Sequence, residues 1–387
     1  MELFYQNKKS ADDILKSTPS CILNGNIDTK NILIKGENKI ILQTLRSKYD
    51  FCNKIDLIYI DPPFSTNTTF TIGDNRVSTI SMSKFDEIAY TDNLKGFEYI
   101  EFIRERLILA KELLTDNGSI YLHIDYKIGH YIKIIMDEIF GLQNFRNDIT
   151  RIKCNPKNFQ RKAYGNIKDL ILFYSKTKNP IWNDPKIPFT DEDKNKLFRK
   201  KDEYGRSYTT IPLHAPGETK EGVTSGLFKG IKPPKGRHWR CDPKELEKLD
   251  NEGLIEWSSN GNPRKIIYAD EKDGKKLQDI WEFKDYQYPC YPTEKNIDLL
   301  KTIIMASSNE NSVVMDFFCG SGTTLIAAQE LNRNWIGIDQ SDKAIKTTIR
   351  KFKNIENNIF HDLEYTYLEV ENAGKSKKKV QKERHIA

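Results

Sequence analysis

The chain has 387 residues, enough for one large domain carrying a substantial insertion or for two domains. Charged residues make up 30% and apolar ones 38%, and no apolar run approaches the ~20 residues of a membrane helix, so a protein that spans the bilayer by helices is excluded. The first residues lack the apolar stretch of a signal peptide, which gives the cytoplasm as the expected location.

The net charge of +6 is unevenly placed. Residues 151–250 hold 23 Lys and Arg against 13 Asp and Glu, and the tail 375–387 holds six basic residues against one acidic. The remainder is net acidic. Positive charge gathered in one block and one tail suits a polyanionic partner. Cys21, Cys52, Cys154, Cys241, Cys290 and Cys319 are scattered without a C-x-x-C pair, so neither a metal site nor a disulfide framework is expected.

In chain order, residues 31–175 read as alternating strands and helices. Ile55–Ile60 is an apolar strand that empties into Asp61-Pro62-Pro63-Phe64. The polar stretch 65–93 reads as a mobile loop. Phe97, Ile100, Ile103, Leu107, Ala110 and Leu114 recur at helical spacing up to a stop at Asn117-Gly118. A strand over 119–125, a helix from Ile128 to Phe140 and strands near Ile149–Lys153 and Leu170–Tyr174 follow. From about Lys178 to Asp285 proline, glycine and charge are frequent and long periodic segments are missing, which reads as an inserted domain. Order returns with a helix over Glu294–Ala306, a strand over Ser312–Asp316, a helix from Thr323, a strand over Trp335–Asp339 and a helix from Asp342. Strands and helices on both sides of an interruption imply one α/β sheet built from two parts of the chain. The tail reads as disordered.

Two strand ends carry the chemistry. After Val313-Val314-Met315 comes Asp316-Phe317-Phe318-Cys319-Gly320-Ser321-Gly322-Thr323-Thr324. Its glycines would let backbone N–H groups approach a ligand at a helix start. The loop lacks the lysine of a phosphate-binding loop and the third glycine of G-x-G-x-x-G. Asp339 closes the next strand, where a carboxylate can accept from ribose hydroxyls. By itself this segment could also serve a nicotinamide cofactor.

The Asp61 turn narrows the choice. Two prolines remove donors and stiffen the backbone, leaving carbonyls free to accept. An exocyclic base amine is a poor nucleophile because its lone pair is delocalised. Asp61 and the Pro62 carbonyl could each accept one amine hydrogen, and Phe64 could stack on the ring. A base must leave its helix to reach such a pocket.

Two further segments complete the pattern: Tyr291-Pro292-Thr293-Glu294-Lys295 before the glycine loop, and Lys35-Gly36-Glu37-Asn38. In this order the four motifs resemble the bacterial amino-methyltransferases of restriction–modification systems, in their permuted β class. There an Asp-Pro-Pro-Tyr/Phe motif precedes a target-recognition domain and the cofactor motif comes last. The match spans about residues 30–350. The resemblance implies a Rossmann-like S-adenosylmethionine-dependent methyltransferase sheet, permuted, with an inserted target-recognition domain. Residues 1–178 would be the catalytic half, 179–285 the recognition domain, 286–372 the cofactor half and 373–387 the basic tail.

The resemblance further implies catalysis by Asp61, Pro62, Pro63 and Phe64. S-adenosylmethionine would be held by Asp316, Phe318, Gly320, Gly322, Thr323, Thr324, Asp339, Thr293, Lys295, Glu37 and Asn38. Asp at position 61 favours adenine N6 over cytosine N4, and Phe64 keeps the stacking of the commoner Tyr while losing its hydroxyl. Double-stranded DNA and a cognate restriction endonuclease are the implied partners, and the class often dimerises. Type III modification subunits are similar but usually longer, which favours a type II enzyme. Arg199, Lys200, Lys201, Lys232, Lys235, Arg237, Trp239 and Arg240 combine charge with an aromatic ring and are the expected DNA contacts. Cytosine N4, an RNA base and a DNA-recognition subunit that needs a partner remain the alternatives.

Overall fold

The structure is a computed structural model that describes residues 2–17, 21–27, 29–63, 69–72, 87–91, 96–156, 162–287, 294–358 and 363–371. The chain packs as two compact units, one of residues 1–183 with 278–387 and one of residues 184–277.

The larger unit is built on a ten-stranded sheet. Its strands in chain order are β1 (Ile22–Leu23), β2 (Ile32–Lys35), β3 (Ile55–Ile60), β4 (Leu114–Ile124), β5 (Phe145–Ile152), β6 (Lys168–Ser175), β7 (Ile280–Trp281), β8 (Val313–Asp316), β9 (Asn334–Asp339) and β10 (Thr366–Glu371). Across the sheet they lie in the order β1-β10-β2-β9-β8-β3-β4-β6-β5-β7. The six strands from β10 to β4 are mutually parallel, whereas β6 runs antiparallel to both β4 and β5. The central strand β3 is buried on both faces, which is why it reads as a nearly unbroken apolar run.

Helices cover the sheet: α1 (Asn38–Lys48), α2 (Gly96–Leu113), α3 (Gly129–Phe140), α4 (Ile297–Ser307), α5 (Thr323–Glu330) and α6 (Asp342–Asn358). Tyr99, Ile100, Ile103 and Leu107 of α2 recur on one face of the helix and join Ile58 and Ile60 of β3 in the main core. Among the described residues no helix is long and apolar enough to cross a membrane.

Two local expectations change. Within 65–93, Thr69–Ile72 pairs antiparallel with Glu87–Thr91. The polar composition of the stretch as a whole concealed these two short runs. Asn117-Gly118 does not end a helix either. That helix closes at Leu113, and β4 runs through Gly118 where the pairing with β3 shifts register. A Cβ on Gly118 would lie 3.0 Å from the Ile55 carbonyl oxygen, so glycine fits the irregularity.

The smaller unit contains a four-stranded antiparallel sheet of Lys200–Lys201, Ser207–Pro212, Pro263–Tyr268 and Ile255–Trp257. A hairpin of His214–Pro216 with Arg237–Trp239 accompanies it. Leu213, Phe228, Trp239 and Leu246 form its core. Residues 179–183 and 278–285 pack with the larger unit, where Ile280 and Trp281 extend the sheet beside β5.

Candidate functional site

Parallel pairing of β3 with β8 places Leu57 beside Val314 and Ile58 beside Met315. The two strand ends, remote in sequence, therefore emerge at the same edge of the sheet. β9 and β2 follow with Asp339 paired to Lys35. Asp61, the glycine loop, Asp339 and Gly36–Asn38 thus meet above the carboxyl ends of four neighbouring strands, where ligands bind in open α/β sheets. A cavity of about 200 Å³ opens there, lined among others by Glu37, Asp61, Phe102, Lys295, Phe318 and Asp339.

The glycine loop is tightly specified. Gly320 and Gly322 take positive φ of 52° and 75°. Gly322 is the residue that enters α5, with no side-chain cap. Thr348 of α6 is fully buried behind the loop and donates its hydroxyl to the Gly320 carbonyl at 3.1 Å. Lys351 of the same helix pairs with Glu294 and donates to Ser321 Oγ at 3.0 Å, which ties the loop to the segment before α4.

Three aspartates face this cavity with different environments. Asp316 accepts the Phe318 N–H at 3.0 Å and the Thr324 hydroxyl at 2.6 Å. Burial nevertheless pushes its carboxyl up to about 7, against those two hydrogen bonds and with help from the charges of Asp61 and Asp339. Asp339 accepts the N–H groups of Gly320 at 2.9 Å and Ser341 at 2.8 Å. Burial raises it too, and these N–H groups oppose the rise. Asp61 Oδ2 pairs with Lys295 Nζ at 2.5 Å. Asp61 Oδ1 is buried with no hydrogen-bond partner among the described residues.

Glu37 caps α1, accepting the N–H groups of Lys39 and Ile40 at 3.1 and 2.9 Å. Arg106 of α2 pairs with Glu37, donates to Asn38 Oδ1 at 2.6 Å and lies 3.5 Å over the Phe102 ring. Asn38 in turn donates to the Phe317 carbonyl at 2.7 Å. Burial lowers the Arg106 pKa, and Glu37 counters it. Phe102 stands 6.0 Å from Phe318, and these rings give the cavity an apolar wall.

The expected site residues Asp61, Pro62, Pro63, Glu37, Asn38, Lys295, Asp316, Phe318, Gly320, Thr323, Thr324 and Asp339 line one cavity. Phe64 and Thr293 lie outside the described residues. Lys295 was expected among the cofactor ligands, and here its partner is Asp61. Tyr59, Phe102, Arg106 and Ser341 also line the cavity and were not read from the sequence. Phe102 and Arg106 stand at helical spacing on α2, but only strand order says which loop they face.

Of the expected DNA contacts, Arg199, Lys201, Lys232, Lys235 and Arg240 are exposed on the smaller unit. Lys200 pairs with Glu256, and exposed Arg237 lies 3.2 Å from His214 Nδ1. Trp239 is a correction. It is fully buried, with its indole N–H donated to the Gly226 carbonyl at 2.9 Å, and it packs edge-on to Phe228. At the end of its strand Trp239 turns into the core of the smaller unit, so its ring builds that core and cannot read a base.

The donor set describes what fits. Buried carboxylates at Asp316 and Asp61 favour a cationic or hydrogen-bearing group. Asp339 and Glu37 offer acceptors for hydroxyls, and Phe318 with Phe102 suits a flat ring.

Residues 55–350 match the DNA methylase family. The type II methyltransferase M.EcaI of Enterobacter cloacae is 42% identical over 328 residues, covering 83% of this chain and 69% of that protein. The StyLTI Mod subunit, a type III restriction-modification enzyme of Salmonella typhimurium, is 27% identical over 358 residues, covering 84% of this chain. The chain spans 54% of that subunit's length and between 50% and 59% of the EcoPI and HindVI Mod subunits. The M1.HpyAVI–SAM complex matches with a TM-score of 0.43 at 18% identity, covering 83% of this chain and 99% of that one.

Proposed function

We propose that this chain, which belongs to the DNA methylase family, methylates the N6 amine of adenine in duplex DNA and so protects its site from a cognate restriction endonuclease. It is an S-adenosylmethionine-dependent DNA methyltransferase of the restriction–modification type. Work on DNA gives the cytoplasm as the place of the reaction.

One observation carries the reading. Asp61 has one oxygen held by Lys295 and the other buried and open. A carboxylate fixed in this way can accept a hydrogen from an amine entering beside it. The adjacent prolines contribute carbonyls without competing donors. Drawing the amine hydrogens toward fixed acceptors localises the nitrogen lone pair, so positioning and electrostatics do the work. Bound S-adenosylmethionine would supply the electrophilic methyl group. Gly320 and Gly322 would allow it close approach, Asp316 would face its positive end, Asp339 its ribose hydroxyls and Phe318 its adenine. An aspartate at position 61 supports adenine N6 over cytosine N4. The exposed basic residues Arg199, Lys201, Lys232, Lys235 and Arg240 support the smaller unit as the DNA-recognition surface.

The test is incubation with mixed-sequence duplex DNA and methyl-labelled S-adenosylmethionine, then digestion to nucleosides. Label on N6-methyladenine is the expected result. Label on N4-methylcytosine would overturn the choice of amine.

Asp316 makes cofactor binding depend on pH. With its carboxyl near 7 in the free protein, acid conditions leave it protonated and a cation must displace that proton. Affinity for S-adenosylmethionine should therefore be level above about pH 7 and fall by up to about tenfold per unit below it. Calorimetric titrations near pH 6 in buffers of different ionisation enthalpy should show proton release. An affinity unchanged between about pH 5.5 and 7.5 would remove Asp316 from contact with the cation.

A further inference from the structure

A buried polar row that this reaction leaves unused runs sideways from the cavity. Tyr59 lies two residues before Asp61 on β3, hence on the same sheet face, and lines the cavity. Its hydroxyl is 3.0 Å from His123 Nδ1. His123 Nε2 is 3.3 Å from Asp169 Oδ2, and Lys153 donates to Asp169 Oδ1 at 2.6 Å. Arg151 Nη1 stands 3.7 Å from Asp169 and its Nη2 2.5 Å from Asp285. Strand register explains the row. Tyr59 pairs with Tyr121, two residues before His123; His123 pairs with Ile171, two residues from Asp169; and Asp169 pairs with Arg151, so the row stays on one sheet face and steps two residues along it from strand to strand.

Tyr59, His123, Asp169 and Arg151 are 1%, 0%, 3% and 1% exposed. Apolar side chains of similar size would fill a sheet face without the desolvation cost of polar ones. The direction of the hydrogen bonds shows what the row can do. Burial works against the charge on Asp169, but His123, Lys153 and Lys295 together hold its carboxyl below the usual range. An ionised carboxylate only accepts, so His123 Nε2 must carry the hydrogen. Burial also lowers the His123 pKa, with Asp169 opposing, and the ring stays neutral. Its Nδ1 is then an acceptor, and Tyr59 must be the donor. With its hydrogen committed, the Tyr59 oxygen has only lone pairs to offer the cavity.

We infer that His123, oriented by Asp169, is a positioning residue that fixes the Tyr59 hydroxyl as an acceptor-only oxygen in the wall of the transfer cavity, where it favours the positive charge growing on the amine. The inference rests on Asp61 as the amine's acceptor and holds for either base. With the methyl donor bound, the nitrogen–carbon bond would form as the sulfur–carbon bond breaks, the sulfur would leave as a neutral thioether and one amine proton would pass out to solvent. The Tyr59 oxygen neither gives nor takes a proton in this. It supplies a fixed dipole.

Steady-state kinetics of Tyr59→Phe, His123→Leu, His123→Asn and the Tyr59→Phe/His123→Leu double variant test it. Tyr59→Phe and His123→Leu should each lower kcat about tenfold, as for loss of one hydrogen bond, with KM values for both substrates within about threefold. The double variant should lose no more than either single one. His123→Asn, whose amide oxygen falls near the Nδ1 position, should recover most of kcat. In the cofactor-free protein, nitrogen-15 NMR of the histidines should show His123 neutral with its hydrogen on Nε2. Wild-type kcat in Tyr59→Phe, additive losses in the double variant, or hydrogen on Nδ1 would overturn the inference. Should His123→Leu fail to fold, Tyr59→Phe and the NMR signature still decide. Full activity in Asp61→Asn would instead overturn the reading of the cavity itself.

Discussion

Asp61→Asn is expected to lower kcat by about a hundredfold to a thousandfold while S-adenosylmethionine still binds within a few-fold of wild type. The carboxylate has one oxygen on Lys295 at 2.5 Å and one buried oxygen left open. An amide retains a single acceptor. If it serves Lys295, nothing remains for the amine; if it faces the amine, a side-chain NH2 meets the Lys295 ammonium. Either orientation removes an interaction that strengthens as the amine becomes cationic, so the loss belongs in kcat. The groups facing the cofactor, Asp316, Asp339 and the glycine loop, keep their own hydrogen bonds. Removing the charge of Asp61 from beside the buried Lys295 ammonium also costs stability. Asp61→Asn/Lys295→Met should return much of the lost thermal stability and none of the activity. Single-turnover methyl transfer, calorimetric binding and thermal midpoints separate these effects. An active double variant would reduce Asp61 to a structural partner of Lys295.

The second large effect falls on binding. Gly322→Ala should weaken S-adenosylmethionine by about thirtyfold to several thousandfold. Gly322 has φ of 75°, and an added Cβ would stand 2.5 Å from Thr348 Cγ2 and 2.8 Å from its Oγ1. The left-handed conformation costs an L-residue about 1–2 kcal/mol. Overpacking against a buried side chain adds about 1–3 kcal/mol. At about 1.4 kcal/mol per factor of ten, the sum gives the stated range if the loop yields before the helix does. Thr348 is fully buried, so the loop is the freer partner. Thr348→Ala in the Gly322→Ala background removes the overlap but not the backbone strain, and should recover the steric share alone. Calorimetry on the wild type, Gly322→Ala, Thr348→Ala and the double variant measures it. Equal binding by Gly322→Ala and wild type would show that the loop does not shape the cofactor site.

Much of this site was legible because its parts are local. A strand, a rigid turn and a carboxylate stand within ten residues at Ile55–Phe64. A strand, two glycines and a helix start stand within twelve at Val313–Thr324. Strand periodicity and glycine placement obey sterics that a short segment already contains. Trp239 was misread for a related reason. Its neighbours Arg237 and Arg240 mark a charged surface, and only packing against Phe228 and Leu246 shows that the ring between them is core.

The chain's local chemistry determined that an acid would end β3, that a glycine loop would end β8 and that positive charge would gather in one internal block. Which groups meet was decided by tertiary structure alone. Lys295 on Asp61, Arg106 on Glu37, Lys351 on Glu294 and Tyr59 on His123 all depend on strand order and register. Those follow from burying the faces of a whole sheet at once, a condition on the entire chain that no single segment carries.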